Sequence, residues 1–547
     1  MKHRSHAVDG EGALSRRNLL GAGATGLALM TAGGTPLFGP GRAKAAEPVR
    51  GGTLSFSIAA EPPTYDPHAS TTFAVMQRLA PHYSTLLRFE EHNYPNIVGD
   101  VAESWTSAPD SLTHTFKLRP GIHFHDGTAF TSADVKASYD RIRNPPAGVV
   151  SARQSTLAKV ASIETPDDLT VVFHMKEVDA AFIQSCASPW NVLYSAARLQ
   201  KDANFPAHNV MGTGPFRFVE HVAGSHWVGA RFDGYFLPGR PYLDGFRAIT
   251  MGPSATISGL QGKQVQADFR GFSPVERDLL VRNMGNDAHV QESNWLLHMD
   301  LSFNPKRKPF DDPRVRQALS LAIDRWGAAK ALGRISVLHD VGGAVLPGGK
   351  WGASEEELVK LPGFGKDIAA NRAEAKRLLK EAGAENLKVT LLDRDILPYT
   401  TAGIYVIDQW RQIGVQVEHQ EVELASYFAS LSGATFDVIV DSFTDYMDDP
   451  STALVKFLSS NFSAISSSPF TDPVLDDLYA KQGRTTDIAE RRSLVRQFEA
   501  RTMEQCYVVP ILWWHRIVVM NQSVQGWTMS PSHMIYQDLG SVWLTPA

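Results

Sequence analysis

The sequence predicts an α/β protein built as two large lobes with an additional small lobe. Three observations lead there. The chain has 547 residues, and a single apolar core stops growing well short of that length, so two or three lobes are expected. Strand-like alternation, as in Gly52–Ile58 and Phe116–Leu118, shares the chain with helical stripes such as Val315–Trp326. Between about 371 and 417 helix and strand patterns alternate, which is the mark of an α/β lobe. Hydrophobic residues at 43% and charged residues at 20% suit a soluble globular chain.

The first 45 residues read as an export segment. Ser15-Arg16-Arg17-Asn18-Leu19-Leu20 precedes a mild apolar run broken by Gly21, Gly23, Gly26, Gly33 and Gly34, and Ala43-Lys44-Ala45 offers a small-x-small cleavage site. Paired arginines before a weakly hydrophobic region resemble a twin-arginine signal. The rival reading, an uncleaved anchor over Leu19–Phe38, is opposed by the five glycines and Pro36. No cysteine follows the cleavage site to carry a lipid. A periplasmic location is expected. Without residues 1–45 the chain holds 47 basic and 56 acidic residues, about −9. That balance argues against nucleic acid or an anionic membrane as partner and is compatible with a cationic or zwitterionic ligand. Cys186 and Cys506 have no metal-binding spacing and are expected as separate core thiols, one disulfide being the alternative.

Taken in order, Gly52–Ile58 is a first strand and Glu61–His68 a stiff loop. Phe73 opens a helix drawn to Leu87. Phe116 and Leu118 share one face of a strand, Pro120-Gly121 turns the chain, and Ile122 and Phe124 continue the alternation as a paired second strand. After Asp126-Gly127, Thr131 caps a helix with Asp134 three residues on. Ile163–Phe173 is strand, turn, strand, and residues 91–208 make up the small lobe. Gly212-Thr213-Gly214-Pro215 is a turn: no P-loop lysine follows, and Pro215 removes a donor amide. Asp312 caps a helix with Pro313 at its first position and an apolar stripe of Val315, Ala318, Leu319, Ala322 and Trp326. Arg314 and Arg316 read as structural ion pairs. A helix Asn371–Ala382, a strand Leu387–Leu392, a helix Ile404–Gln412 and a strand Val415–Val417 follow, then two last strands, Val508–Trp514 and Ile517–Met520.

Several of these stretches carry a family's wording: Ala102-Glu103-Ser104-Trp105, the run Leu118–Thr128 (LR-x-G-x-x-F-H-D-G-T), Ala133-Asp134-Val135, Val210–Phe218, Pro241–Asp244 and Pro309–Leu319. They resemble the peptide/nickel class of extracytoplasmic solute-binding proteins of ABC transporters, family 5. The resemblance implies a two-lobed periplasmic-binding-protein fold (type II, large cluster C class) with an additional small lobe and a hinge. Residues 46–90, 209–295 and 510–547 would form the first lobe and 296–509 the second. It implies a monomer that is not an enzyme and uses no cofactor. The ligand would be a small molecule or short peptide, and the partner a cognate ABC permease.

The resemblance also points to ligand contacts. Asp445 stands where a similar aspartate pairs with a peptide's α-ammonium, and Tyr446 follows it. Phe73, Trp295 and Trp514 are aromatic candidates, since large rigid rings line such clefts. Each has a plainer reading: Phe73 packs inward, the tryptophans fill the core, and Asp445, Asp448 and Asp449 cap the turn before Ser451. Leu424, Leu431 and Ile439 occupy positions where oligopeptide binders carry Trp and Arg, which argues against a long peptide. A nickel chelate, haem or opine-like ligand is the alternative within the family, and an exported hydrolase the alternative outside it. No G-x-S-x-G, H-E-x-x-H or Walker pattern occurs. His123 and His125 share a strand face at a spacing metals use, with no third ligand nearby.

Overall fold

The computed structural model describes residues 47–546, so the expected export segment lies outside it. Strand β1 (Thr53–Ile58) buries Leu54, Phe56 and Ile58 on one face, as its alternation predicts. Phe73 does open a helix, but that helix ends at Leu79 rather than Leu87. Pro81 lies in the short turn that follows. It has no amide to continue the helical ladder, and β2 (Leu87–Phe89) is already a strand, paired with β3 (Ile97–Gly99).

β4 (Ala102–Ser107), β5 (Thr113–Leu118), β6 (Val160–Asp167) and β7 (Thr170–Met175) form an antiparallel sheet in the order β4-β5-β7-β6. Both edges of β5 are therefore taken, and the expected pairing with Ile122–Phe124 is not made. That stretch turns away at Gly121, whose φ is 75°, and keeps one bridge, His123 to Ala129. Ile122 and Phe124 are buried all the same, so their alternation marked burial and not a ladder. The Thr131–Asp134 capping box starts the Ser132–Arg143 helix as predicted. Its Val135, Tyr139 and Ile142 join Phe116, Phe173 and Phe182 in one core.

The turn at Gly212–Pro215 returns the chain to β1. β8 (Phe216–Val222), β9 (His226–Arg231) and β10 (Gly245–Thr250) complete a sheet in the order β1-β10-β9-β8. The turn needs glycine for proximity: a Cβ on Gly214 would stand 2.4 Å from the Tyr83 amide nitrogen, and one on Gly212 2.3 Å from the His82 carbonyl.

Two long strands then dominate. β11 (Ala288–Phe303) leads to β12 (Leu338–Asp340), β13 (Lys388–Arg394), β14 (Gln416–Val422) and β15 (Val438–Thr444), and β16 (Val508–Asn521) closes the set. Their mixed sheet has the order β12-β16-β11-β15-β13-β14. The two expected closing strands are thus one continuous strand, β16. β11 and β16 pair antiparallel over nearly their whole lengths, with a break in register between Asn294 and His298. Beyond the break Met520 bridges Ala267, which also bridges Phe56 of β1. The pair thus runs from the sheet of β1 to the six-stranded sheet, the crossing that makes a hinge.

Helices cover the larger sheet. Asp312 caps Pro313–Leu321 through the Arg314 amide, and Arg314 pairs with Asp312 as expected. Arg316 departs from the expectation. It donates to the carbonyls of Phe310, Asp311 and Gln505 and lies 4.6 Å from the Tyr507 ring, with no acidic partner among the described residues. The expected helices are Ile368–Glu381 and Leu397–Arg411. Apolar packing falls into three large clusters: around Phe116 and Phe173, around Phe56 and Trp227, and around Leu301 and Trp410. Cys186 and Cys506 are buried, separate and free.

Candidate functional site

The five residues singled out from the sequence converge on the crossing strands. Trp295 of β11 and Trp514 of β16 stand edge to face, with ring centroids 5.5 Å apart. Strand alternation sends Trp513 the other way, where its Nε1 donates to the Gly343 carbonyl and its ring lies 4.5 Å from His298. The Trp295 Nε1 donates to His533 Nδ1 at 2.8 Å. Phe73 stands edge to face with that imidazole, ring centroids 4.8 Å apart. Burial drives the His533 pKa well below the ordinary value, and Arg270 and Arg516 add to the effect. His533 thus stays neutral and bridges Phe73 of one core to Trp295 of another. Tyr399 completes the group, 6.4 Å from Trp514. All three predicted aromatics are buried and also serve their cores. The Trp514 Nε1, however, has no hydrogen-bond partner among the described residues.

Asp445 follows β15 directly, and its amide donates to the carbonyl of Leu296, the neighbour of Trp295. One carboxylate oxygen accepts the Tyr446 amide at 2.6 Å. The other, Oδ2, is buried and has no partner among the described residues. None of the ion pairs found there includes it. Desolvation accordingly pushes its pKa up to about 7, opposed by the hydrogen bond from the Tyr446 amide. Tyr446 packs against both the Phe116 cluster and the Phe56 cluster, and burial raises its phenol as well. Of the neighbouring acids, Asp449 follows the turn-capping reading and Asp448 does not. Asp449 caps Pro450–Ala453 and holds Arg491 by two hydrogen bonds, at 2.6 and 3.0 Å. Asp448 accepts the Lys350 amide at 2.9 Å.

Four further residues belong to this neighbourhood. Besides His533 and Tyr399 there are two arginines. Arg270 keeps accessible surface, yet the protein around it lowers its pKa, with Asp268 and Tyr399 as the nearest opposing groups. The Asp268 carboxylate is already engaged by Ser57 and by the amides of Arg270 and Gly271. Arg394, at the end of β13, lies over Tyr399 at 4.3 Å and Tyr427 at 4.5 Å and reaches Asp441 at 3.2 Å. Leu424 is exposed, and Ile439 is core beside Leu392 and Tyr427. A cation is therefore present near these positions, but it comes from the adjacent strand. Only Arg394 had a signal in the sequence, as a charge just past a predicted strand. Arg270 and His533 sit in loops without periodicity. His123 and His125 do not pair with each other: they bond the carbonyls of Gly121 and Gly214.

An α/β fold of two lobes joined by crossing strands, with a buried acid and aromatic rings at the crossing, is the build of a solute-binding protein. The family model described as bacterial extracellular solute-binding proteins, family 5 Middle, matches residues 96–464. This chain belongs to that family and serves as the binding component of an ABC importer. It is similar to the glutathione-binding protein GsiB of Pectobacterium atrosepticum, 29% identical over 413 residues, which are 73% of this chain and 77% of that one. Among solved structures it resembles AgaA in complex with agropinic acid, from A. tumefaciens R10. Identity there is 26%, coverage 91% of this chain and 99% of the other, and the TM-score 0.74. CtaP of Listeria monocytogenes has a TM-score of 0.79 at 21% identity, covering 91% of this chain and 100% of its own, and supports the fold alone.

Proposed function

We propose that this protein captures a small amine-bearing solute, a short peptide or an amino-acid conjugate, and delivers it to its permease. The observation that carries the reading is Asp445. Among the described residues this buried carboxyl has one oxygen without a hydrogen-bond partner and no ion pair, and burial raises its pKa to about 7. A ligand ammonium supplies the missing partner and makes the charged form favourable. Arg270 is the complementary group for a ligand carboxylate, and Phe73, Trp295, Tyr446 and Trp514 are the apolar walls. That one relative is a glutathione-binding protein agrees with a ligand of this size and zwitterionic character.

Several finer readings belong to the same proposal. Residues 1–45 are a twin-arginine signal, the mature protein is a periplasmic monomer, and it turns over no substrate. The lobes divide at 46–90, 209–295 and 510–547 for the first, 91–208 for the small one and 296–509 for the second. Native mass spectrometry of protein purified from its own periplasm tests the ligand class. An organic adduct in the di- to tripeptide range is expected. A product formed from that solute by the protein alone would exclude the receptor reading.

A further inference from the structure

Away from Asp445, three metal-ligating side chains meet at the crossing: His339 and Asp340 on β12 and His515 on β16, with donor atoms all within 4.8 Å of one another. The backbone fixes this meeting. Leu338 pairs with Trp514 and Asp340 with Trp513, and the His515 amide donates to the Val337 carbonyl. The two imidazole rings lie 4.7 Å apart.

The hydrogen bonding is incomplete in a particular way. His339 Nδ1 is 2.8 Å from Asp340 Oδ1, an ordinary hydrogen bond. His515 Nδ1 faces Asp340 Oδ2 at 3.6 Å, too far for one. Both of those atoms are buried, and neither has a hydrogen-bond partner among the described residues. The other nitrogen of His515, Nε2, lies 3.2 Å from Glu292 Oε2 on β11, and Glu292 is held by Arg277 at 2.6 Å. A carboxylate at Nε2 fixes the proton there, leaving the Nδ1 lone pair aimed at a second carboxylate oxygen. Two acceptors facing each other call for a cation between them, a second proton on His515 when no metal is bound and the metal ion when one is. A tetrahedral ion with bonds of about 2.0–2.1 Å spaces its ligands at roughly 3.3 Å, close to the gap between His515 and Asp340. The His339 side chain is 45% exposed, so a rotamer change that brings it to the same spacing displaces only its hydrogen bond to Asp340.

We infer that His339, Asp340 and His515 form a site for a zinc-type divalent cation, with Glu292 orienting His515 and Arg277 holding Glu292. Two imidazoles and one carboxylate suit zinc and its d-block neighbours rather than magnesium or calcium, which take oxygen ligands, and three protein ligands leave a position for water. The site joins an edge strand of the six-stranded sheet to both crossing strands, beside the register break and next to Trp514. Occupancy would therefore fasten β12 to the crossing. The inference stands apart from the reading of Asp445.

The test is a titration of tag-free, ligand-free protein with Zn²⁺ against a chromophoric chelator, with stoichiometry read by native mass spectrometry. One Zn²⁺ per chain is expected. His339→Ala, at the most exposed ligand, should weaken binding at least ~10-fold, and His339→Ala/His515→Ala should abolish it. Glu292→Gln should weaken it by about 10- to 100-fold while the metal-free melting temperature stays near wild type. His123→Ala should bind as wild type does. Failure of the wild type to bind one equivalent, or wild-type affinity in His339→Ala, would overturn the assignment.

Discussion

A carboxyl whose second oxygen is buried and unbonded is the least settled group in this neighbourhood, and it should respond to both pH and ligand. Asp445 titrates at about 7 in the folded protein, against roughly 3.9 for an unfolded chain. Below pH 4 both states hold the proton. As pH rises from 4 to 7 the unfolded state ionises first, so the ligand-free protein loses stability across that window, and the loss is complete above 7. Asp445→Asn should flatten this part of the profile, measured as urea midpoints at pH 5 and pH 8. Binding an ammonium requires the ionised form. Affinity for an amine-bearing ligand should therefore fall about tenfold per pH unit below 7, with calorimetry in buffers of different ionisation enthalpy showing proton release. Unchanged affinity in Asp445→Asn would remove this residue from the site.

At the scale of elements, the turn that presents Asp445 hangs on the Asp449–Arg491 pair. Both side chains are buried and doubly bonded, so removing one partner strands the other's charge. Arg491→Met should cost about 3–5 kcal/mol in urea unfolding, and Arg491→Met/Asp449→Asn should recover much of it. The return turn to β1 makes a second test. Gly214→Ala forces a Cβ against the Tyr83 backbone and should cost about 1–3 kcal/mol, with little change in ligand affinity because the turn is scaffold. Elements are also where the sequence is most and least legible. The Thr131–Asp134 box and the Asp312-Pro313 start are local chemistry and appear where expected. The helix from Phe73 is shorter than its pattern predicts, and Ile122–Phe124 forms no ladder with β5, because alternation reports burial and says nothing about which edge of a neighbour is free.

At the scale of the whole molecule, β11 and β16 form the crossing: they run through the six-stranded sheet, reach the sheet of β1 through the Ala267 bridges, and hold Trp295 and Trp514. Closure on a ligand should reduce the radius of gyration in solution scattering and shift tryptophan emission. Trp514→Phe should remove a large part of that shift while leaving the scattering change in place. An emission change identical to wild type in Trp514→Phe would place the reporter elsewhere. The sequence by itself determined the family, the α/β class, the capping chemistry and the aspartate to watch, because each is written in contiguous residues whose spacing is local. Tertiary structure alone decided that Phe73, Trp295, His533 and Trp514 form one chain of rings, that Asp448 and Asp449 are turn supports while Asp445 keeps a free oxygen, and that His515 meets Asp340. Those outcomes depend on strand register and on partners hundreds of residues apart, and no local pattern encodes a register.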